Sequence, residues 1–189
     1  MIVQNNFTVS ENFLPHHVCD DIIKLAKKKN LIEGVVGNGL DKKIRDSRIV
    51  WLDDVWIYDW ITPFVKEINI NLNWNFNLLY PEQIQFTTYK QNQFYGWHQD
   101  TIPRSDGEQR KISVVIPLSS SEDYEGGDLE FFDSMIQPES KQEKIIKDEK
   151  LRGKGNAVIF PSYVYHRVSK VMKGERLSIV IWYVGEKWK

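Results

Sequence analysis

Residues 176–184 read Arg-Leu-Ser-Ile-Val-Ile-Trp-Tyr-Val, and this run decides the fold. Side chains on an extended chain alternate between two faces, so Arg176, Ser178, Val180 and Trp182 share one face and Leu177, Ile179, Ile181 and Tyr183 the other. Both faces are largely apolar, which predicts a strand in the middle of a sheet rather than at its edge. Working outward, 83–89 (QIQFTTY), 111–119 (KISVVIPLS), 126–132 (GGDLEFF) and 155–161 (GNAVIFP) share the same β-branched and aromatic character between turn residues.

The first part of the chain has a different period. Val18 to Lys28 carries Val18, Ile22, Ile23 and Ala26 at helical spacing, and Lys27–Lys29 suits the negative end of that helix. His16 and His17 precede it as surface or capping residues. Asp53 to Ile70 predicts a second helix with Trp56, Trp60, Phe64 and Val65 on its apolar side. Asn69 to Asn77 alternates asparagine with apolar residues, a strand pattern. Gly34–Arg48, charged and poor in large apolar residues, predicts a mobile loop or hairpin, and Asp133–Lys154 a solvated tip or short helix without chemistry. Helices followed by many short strands predict an α+β chain or an all-β sandwich backed by helices.

Composition bounds the rest. The 189 residues fit one domain, and 41% hydrophobic with 27% charged is ordinary for a globular protein, which excludes disordered, fibrous and membrane classes. Lys and Arg total 25 against 26 Asp and Glu, so a net charge of -1 argues against a nucleic-acid partner. The single Cys19 makes no internal disulfide, and the opening MIVQNNFTVSENF lacks the features of a signal peptide. No apolar run is long enough to span a bilayer. The expectation is a soluble cytoplasmic domain. Aromatic residues reach 13%, which suits a β core and also a pocket wall.

Two histidines stand in chemical company. In Tyr95-Gly-Trp-His-Gln-Asp100 the side chains of His98 and Asp100 point the same way on an extended chain. Asp occupies any position about one time in sixteen, so four histidines make such a pair about once in four sequences, and His-x-Asp alone is weak. Its weight comes from His166, just past the strand 155–161, and from Arg176 ten residues further on a central strand with Ser178. A guanidinium there demands an anionic partner, either a structural Asp or Glu or a ligand. His98, Asp100 and His166 together make a two-histidine, one-carboxylate triad that leaves open positions on Fe(II). Zinc competes for such ligands, but a zinc hydrolase does not account for Arg176 and Ser178, and no His-Glu-x-x-His helix is present.

With those residues in view, the sequence resembles the 2-oxoglutarate- and Fe(II)-dependent dioxygenases, in the prolyl 4-hydroxylase-like branch. The resemblance runs from about Ile84 to Gly185. It rests on Tyr89 and Tyr95 before His98-Gln-Asp100, on the Gly126-Gly127-Asp128-Leu129 turn, and on His166 followed by Arg176-Leu-Ser178. Asn12-Phe-Leu-Pro15 and the following helix are similar to the family's usual start. Two departures stand out: no glycine separates Tyr89 from Tyr95, and Pro117 stands where the animal enzymes place a tyrosine on the co-substrate.

The resemblance implies a double-stranded β-helix, or jelly roll, at 84–189 with a helical support region at 1–83. It implies Fe(II) on His98, Asp100 and His166, and 2-oxoglutarate and O2 as co-substrates, with ascorbate as an accessory reductant. Arg176 takes the far carboxylate of 2-oxoglutarate, Ser178 assists, and Tyr89 lends a hydroxyl near the metal end. Trp182 is similar to a tryptophan beside the target proline in oxygen-sensing prolyl hydroxylases. Trp182 and Tyr95 are then pocket walls for a prolyl ring oxidised at C4 in a peptide or protein, and Arg110 is a donor to the substrate backbone. Gly34–Arg48 and Thr101–Arg110 are candidate lids. The rival readings are an oxygenase of a small metabolite, free amino acid or nucleobase, and a jelly-roll binding module without catalysis. Halogenation is disfavoured because Asp100 fills the position a halide needs.

Overall fold

The computed structural model describes residues 6–35, 39, 41–101, 107–132 and 145–187. In chain order the elements are β1 (Thr8–Ser10), α1 (His16–Lys27), β2 (Ile32–Glu33), β3 (Arg45–Asp46), β4 (Arg48–Leu52) and α2 (Val55–Asn71). There follow β5 (Leu78–Pro81), β6 (Ile84–Lys90), β7 (Phe94–His98), β8 (Glu108–Pro117), β9 (Tyr124–Gly126) and β10 (Leu129–Phe132). The chain finishes with β11 (Ile145–Ile146), β12 (Ala157–Pro161), β13 (His166–Val168) and β14 (Val171–Glu186). A nine-stranded sheet runs β1-β12-β8-β14-β6-β4-β2, with β5 and β9 also paired to β14, and a five-stranded sheet runs β11-β10-β13-β7-β3. This is the mainly β, double-stranded β-helix architecture expected. The region before residue 84 supplies both helices and also strands to each sheet.

β14 is central, as its two apolar faces require, lying between β6 and β8. Leu177, Ile179, Ile181 and Tyr183 point outward into one core with Ile112, Val114 and Ile116 of β8, Ile84 and Phe86 of β6, and the buried faces of α1 and α2. The opposite face of the same strands turns toward the small sheet, where Val115, Val158 and Phe160 pack on Leu129 and Phe131. Strict period-two alternation thus separates a helix-backed core from an interior space between the sheets.

Several expectations need correction. α2 exists, but it buries Ile57, Ile61, Val65 and Asn69 while Trp56 and Trp60 remain 38% and 46% exposed. Residues 56, 60 and 64 and residues 57, 61 and 65 both recur every four positions, so the periodicity offers two stripes. The stripe that fits flat against Leu52 and Ile84 is the compact aliphatic one. Asn69–Asn77 is not a strand. The Asn69 side chain hydrogen-bonds both ways with the Phe76 backbone at 2.9 and 3.0 Å, closing a loop in which Asn73 and Asn75 take φ of 55° and 50°. Asparagine tolerates that left-handed conformation, which a strand does not contain.

Gly34–Arg48 takes the hairpin alternative, since β2 and β4 pair antiparallel across it with Glu33 opposite Arg48. Its described part holds β3, and Arg48 opens β4, while 36–38 and 40 lie outside the described residues. Arg110 belongs to β8, opposite Val184, rather than to the end of a loop, whose residues 102–106 are not described. His16 and His17 form the exposed first turn of α1 instead of preceding it. Of Asp133–Lys154, residues 133–144 lie outside the described residues, and the remainder contains β11 and a short 3-10 turn that buries Leu151. Among the described residues no helix is long and apolar enough to cross a membrane.

The phase of α2 is testable by urea unfolding. Ile61→Ala should lower stability by about 2–5 kcal/mol, because Ile61 is fully buried against the sheet. Trp60→Ala should cost no more than about 1 kcal/mol. Equal losses from the two would mean that the tryptophan face is the packed one.

Candidate active site

Strand pairing gathers the first cluster. His166 on β13 lies directly across from His98 on β7, with ring centroids 4.2 Å apart. Asp100 follows β7, and its backbone N–H donates to Ser162 O at 2.9 Å, tying that turn to the segment leading into β13. His98 Nε2 lies 3.5 Å from Asp100 Oδ1, and His166 Nε2 lies 3.5 Å from Asp100 Oδ2. One ligand atom from each residue falls within 4.8 Å of the other two.

The hydrogen bonds fix the state of these groups. His98 Nδ1 is 2.8 Å from Gly96 O, and His166 Nδ1 is 2.9 Å from Val164 O. A carbonyl only accepts, so each Nδ1 donates a proton to it, which leaves each Nε2, on the Asp100 side, as the ring atom that can ligate a metal. Burial and the neighbouring His98 push His166 down to about 4, which leaves it neutral at pH 7. Burial works to raise Asp100, but the His166 and His98 rings and the Arg110 guanidinium outweigh it and hold the carboxyl well below the usual range. Ser113 Oγ donates to Asp100 Oδ2 at 2.7 Å and contacts Ser162 Oγ at 2.9 Å. Such outer partners orient a ligating carboxylate. Two imidazole nitrogens and one carboxylate are a donor set that fits iron(II).

The second cluster lies on the inner face of the large sheet. Arg176 is 1% exposed, and only its Nη1 is engaged, donating to Ser178 Oγ at 2.9 Å. Its Nε and Nη2 are buried without a partner. The structural alternative fails, because none of the partners of Arg176 among the described residues is an acid. A buried, half-satisfied guanidinium costs several kcal/mol, so the site is built to receive an anion. The glycine pair makes room for it: Gly127 has φ +63°, and a Cβ there would come 3.3 Å from Arg176 Cδ and 2.9 Å from a Val171 methyl. The far carboxylate of 2-oxoglutarate fits this place.

Both clusters open on one cavity of about 160 Å³, which they line together with Tyr89, Tyr95, Arg110 and Trp182. That is roughly ten times the space one water needs. Register sets their order. Arg176 faces Tyr89, Ser178 faces Thr87 on β6 and Pro117 on β8, and Trp182 faces Ser113. The Arg176 guanidinium carbon stands 5.6 Å from the Tyr89 ring centroid. Trp182 is held between Trp51, with centroids 6.4 Å apart, and Arg110, whose guanidinium carbon lies 3.7 Å from the ring centre. Tyr95 stacks on His98 at 3.6 Å, and burial, followed by Asp100, raises its phenol, which stays protonated. Arg110 donates through Nε and Nη2 to Glu82 at 3.0 and 2.6 Å, so part of its donor set is already committed.

All nine residues singled out from the sequence therefore meet around one cavity. Ser113, Gln85, Trp51 and Arg45 were missed. Ser113 sits on the same strand face as Val115, and only the strand alternation of 111–117 hinted that it points inward. Arg45 was hidden by reading its segment as a mobile loop or hairpin without site residues.

Comparison with known proteins agrees with this geometry. Residues 84–184 match the family model described as the 2OG-Fe(II) oxygenase superfamily. A PKHD-type hydroxylase of Alteromonas mediterranea is 34% identical over 102 residues, which cover 51% of this chain and 41% of that protein. The match thus spans less than half the length of the curated relative. A Pseudomonas putida prolyl-4-hydroxylase superposes with a TM-score of 0.73 at 21% identity, covering 98% of this chain and 95% of that one. A Trichoplax adhaerens prolyl hydroxylase, in complex with a hypoxia inducible factor oxygen degradation domain peptide fragment, gives 0.73 at 21% identity, covering 95% and 84%. At such identities the structures speak for the shared fold. With its matched span running from β6 to β14 and enclosing the histidine, aspartate and arginine cluster, the chain belongs to the 2OG-Fe(II) oxygenase superfamily.

Proposed function

We propose that this chain is an Fe(II)- and 2-oxoglutarate-dependent hydroxylase acting at C4 of a prolyl residue in a peptide or protein. One observation carries the reading: the buried, half-satisfied Arg176 lines the same cavity as the converging ligand atoms of His98, Asp100 and His166. Those three residues would hold the metal, and Arg176 with Ser178 would hold the far carboxylate of the co-substrate in a directional, charge-assisted contact. Bound iron(II) and 2-oxoglutarate supply the oxidation, in which one atom of O2 enters a substrate C–H bond and the other ends in succinate as CO2 leaves.

The chain itself contributes position. Ser113 holds the Asp100 carboxylate, and the Gly96 and Val164 carbonyls hold the two imidazoles in the ligating tautomer. Tyr89 walls the co-substrate end, and Pro117 leaves no hydroxyl at its place on β8. Trp182, pinned between Trp51 and Arg110, presents a flat apolar wall beside Ser113, and Tyr95 lies against His98. Two such walls suit a proline ring, which is compact, apolar and conformationally restricted. The curated relative's name supports hydroxylation, and the prolyl hydroxylases that superpose on the chain share the fold on which a prolyl substrate is read.

His166→Ala should abolish succinate production and metal binding by calorimetry, with little loss of stability. Full turnover in that variant would overturn the metal assignment. Arg176→Ala should raise the 2-oxoglutarate KM by more than tenfold, since a charged hydrogen bond contributes about 1.5–3 kcal/mol. Arg176→Lys should recover only part of this, having lost the planar fork. An unchanged KM in Arg176→Ala would make the arginine structural. A panel of proline peptides assayed by mass spectrometry for a gain of one oxygen tests the substrate. Trp182→Ala and Arg110→Ala should lower product formation while 2-oxoglutarate consumption without substrate persists. Oxidation of a small metabolite or nucleobase in place of every proline peptide would remove the prolyl assignment.

A further inference from the structure

We propose that the substrate carries a carboxylate next to the oxidised prolyl ring and that Arg45 receives it. The proposal rests on reading the cavity as an iron and 2-oxoglutarate site. Arg45 lies on β3, is 6% exposed and lines the cavity. Its guanidinium carbon stands 4.7 Å from the centre of the Tyr95 ring, and that ring stacks on His98. The charge therefore sits one phenol ring away from a metal-binding imidazole.

Every hydrogen-bond partner of Arg45 among the described residues is neutral. Nε donates to Ser47 Oγ at 2.8 Å, Nη1 to Val35 O at 3.2 Å and Nη2 to Gln85 Oε1 at 2.6 Å. A guanidinium has five N–H groups, so these three bonds leave some of its donor capacity unused. The other arginines among the described residues are answered differently. Arg48 pairs with Glu33, Arg110 with Glu82, Arg152 with Asp128 and Arg167 with Glu130. Arg176 has its role with the co-substrate, and Arg45 alone remains with neither an acid nor a designated anion.

Charge balance leads to the same place. Around the cavity Arg45, Arg110, Arg176 and iron(II) would bring five positive charges, and Asp100, the Glu82 carboxylate paired with Arg110 and the two carboxylates of 2-oxoglutarate four negative ones. One positive charge is left, and it belongs to Arg45. Burying it beside a dication is unfavourable until an anion arrives. A carboxylate fits a guanidinium fork better than a neutral carbonyl does. Its source is an acidic side chain flanking the proline or the terminal α-carboxylate of a peptide that ends in proline, and both present the same chemistry to Arg45.

The test uses four ligands: a proline peptide with an acidic residue next to the proline, the same peptide with that residue as its amide, a peptide ending in proline with a free carboxylate, and that peptide as its terminal amide. Binding is measured by calorimetry on the Mn(II)- and 2-oxoglutarate-loaded protein without oxygen, and KM is measured on the iron enzyme. At least one acid should bind roughly ten- to hundredfold more tightly than its amide, the range a charge-assisted hydrogen bond covers. Whichever acid shows the difference identifies the source of the carboxylate. Arg45→Gln should erase the difference while 2-oxoglutarate affinity holds, and Arg45→Lys should keep part of it. A residue that only clamps β3 to Gln85 would instead weaken acid and amide alike, with a lower Tm. Equal binding of acid and amide to the unmodified protein, a comparison that needs no variant, would overturn the proposal and leave the hydroxylase reading standing. If none of the four binds or is oxidised, both fall together.

Discussion

A one-residue slip of β14 against β6 and β8 would turn Arg176, Ser178 and Trp182 into the helix-backed core and bring Leu177, Ile179, Ile181 and Tyr183 to the cavity. The register is held because such a slip would bury a guanidinium in the apolar layer formed by Ile57, Ile61 and Ile112. The same hydrophobic pattern that folds the chain therefore aims its chemistry. Every inward position on β6 and β8 follows from it, including Tyr89 opposite Arg176 and Ser113 opposite Trp182.

The two sheets divide the labour. The large sheet carries the Arg176 end, and the small sheet carries His98 and His166 on paired strands. Asp100 bridges them: its carboxylate reaches both imidazoles and accepts from Ser113 of the large sheet. Neither sheet holds a site by itself. Strand pairing on both sides keeps the histidine–aspartate end and the Arg176 end at a fixed separation, as the proposed co-substrate would require.

The cavity stores unfavourable electrostatics that the folded chain does not relieve internally. Arg176 keeps two buried donor atoms without a partner, and Arg45 faces only neutral acceptors. Elsewhere the same chain answers its arginines with acids, as Arg152 with Asp128 and Arg167 with Glu130. The contrast sets Arg176 and Arg45, the two arginines proposed to receive ligand carboxylates, apart from those paired with acids.

The sequence by itself determined the local periods, and with them the central place of β14, the two helices and the inward face that carries Arg176, Ser178 and Trp182. His98 and Asp100 were legible because two residues on one extended segment share a direction, and His166 because the strand before it was plain. Tertiary structure alone decided which of two apolar stripes α2 buries, since periodicity is blind to what lies opposite. It closed Asn69–Asn77 into a loop, because side-chain bonds to Phe76 outweighed the alternation. It also drew Arg45 from a segment that reads as a charged loop or hairpin into the cavity, where Ser47, Gln85 and Tyr95 surround it. Gln85 on β6 and Tyr95 on β7 lie far from Arg45 in sequence, and contacts at such separations leave no local signature.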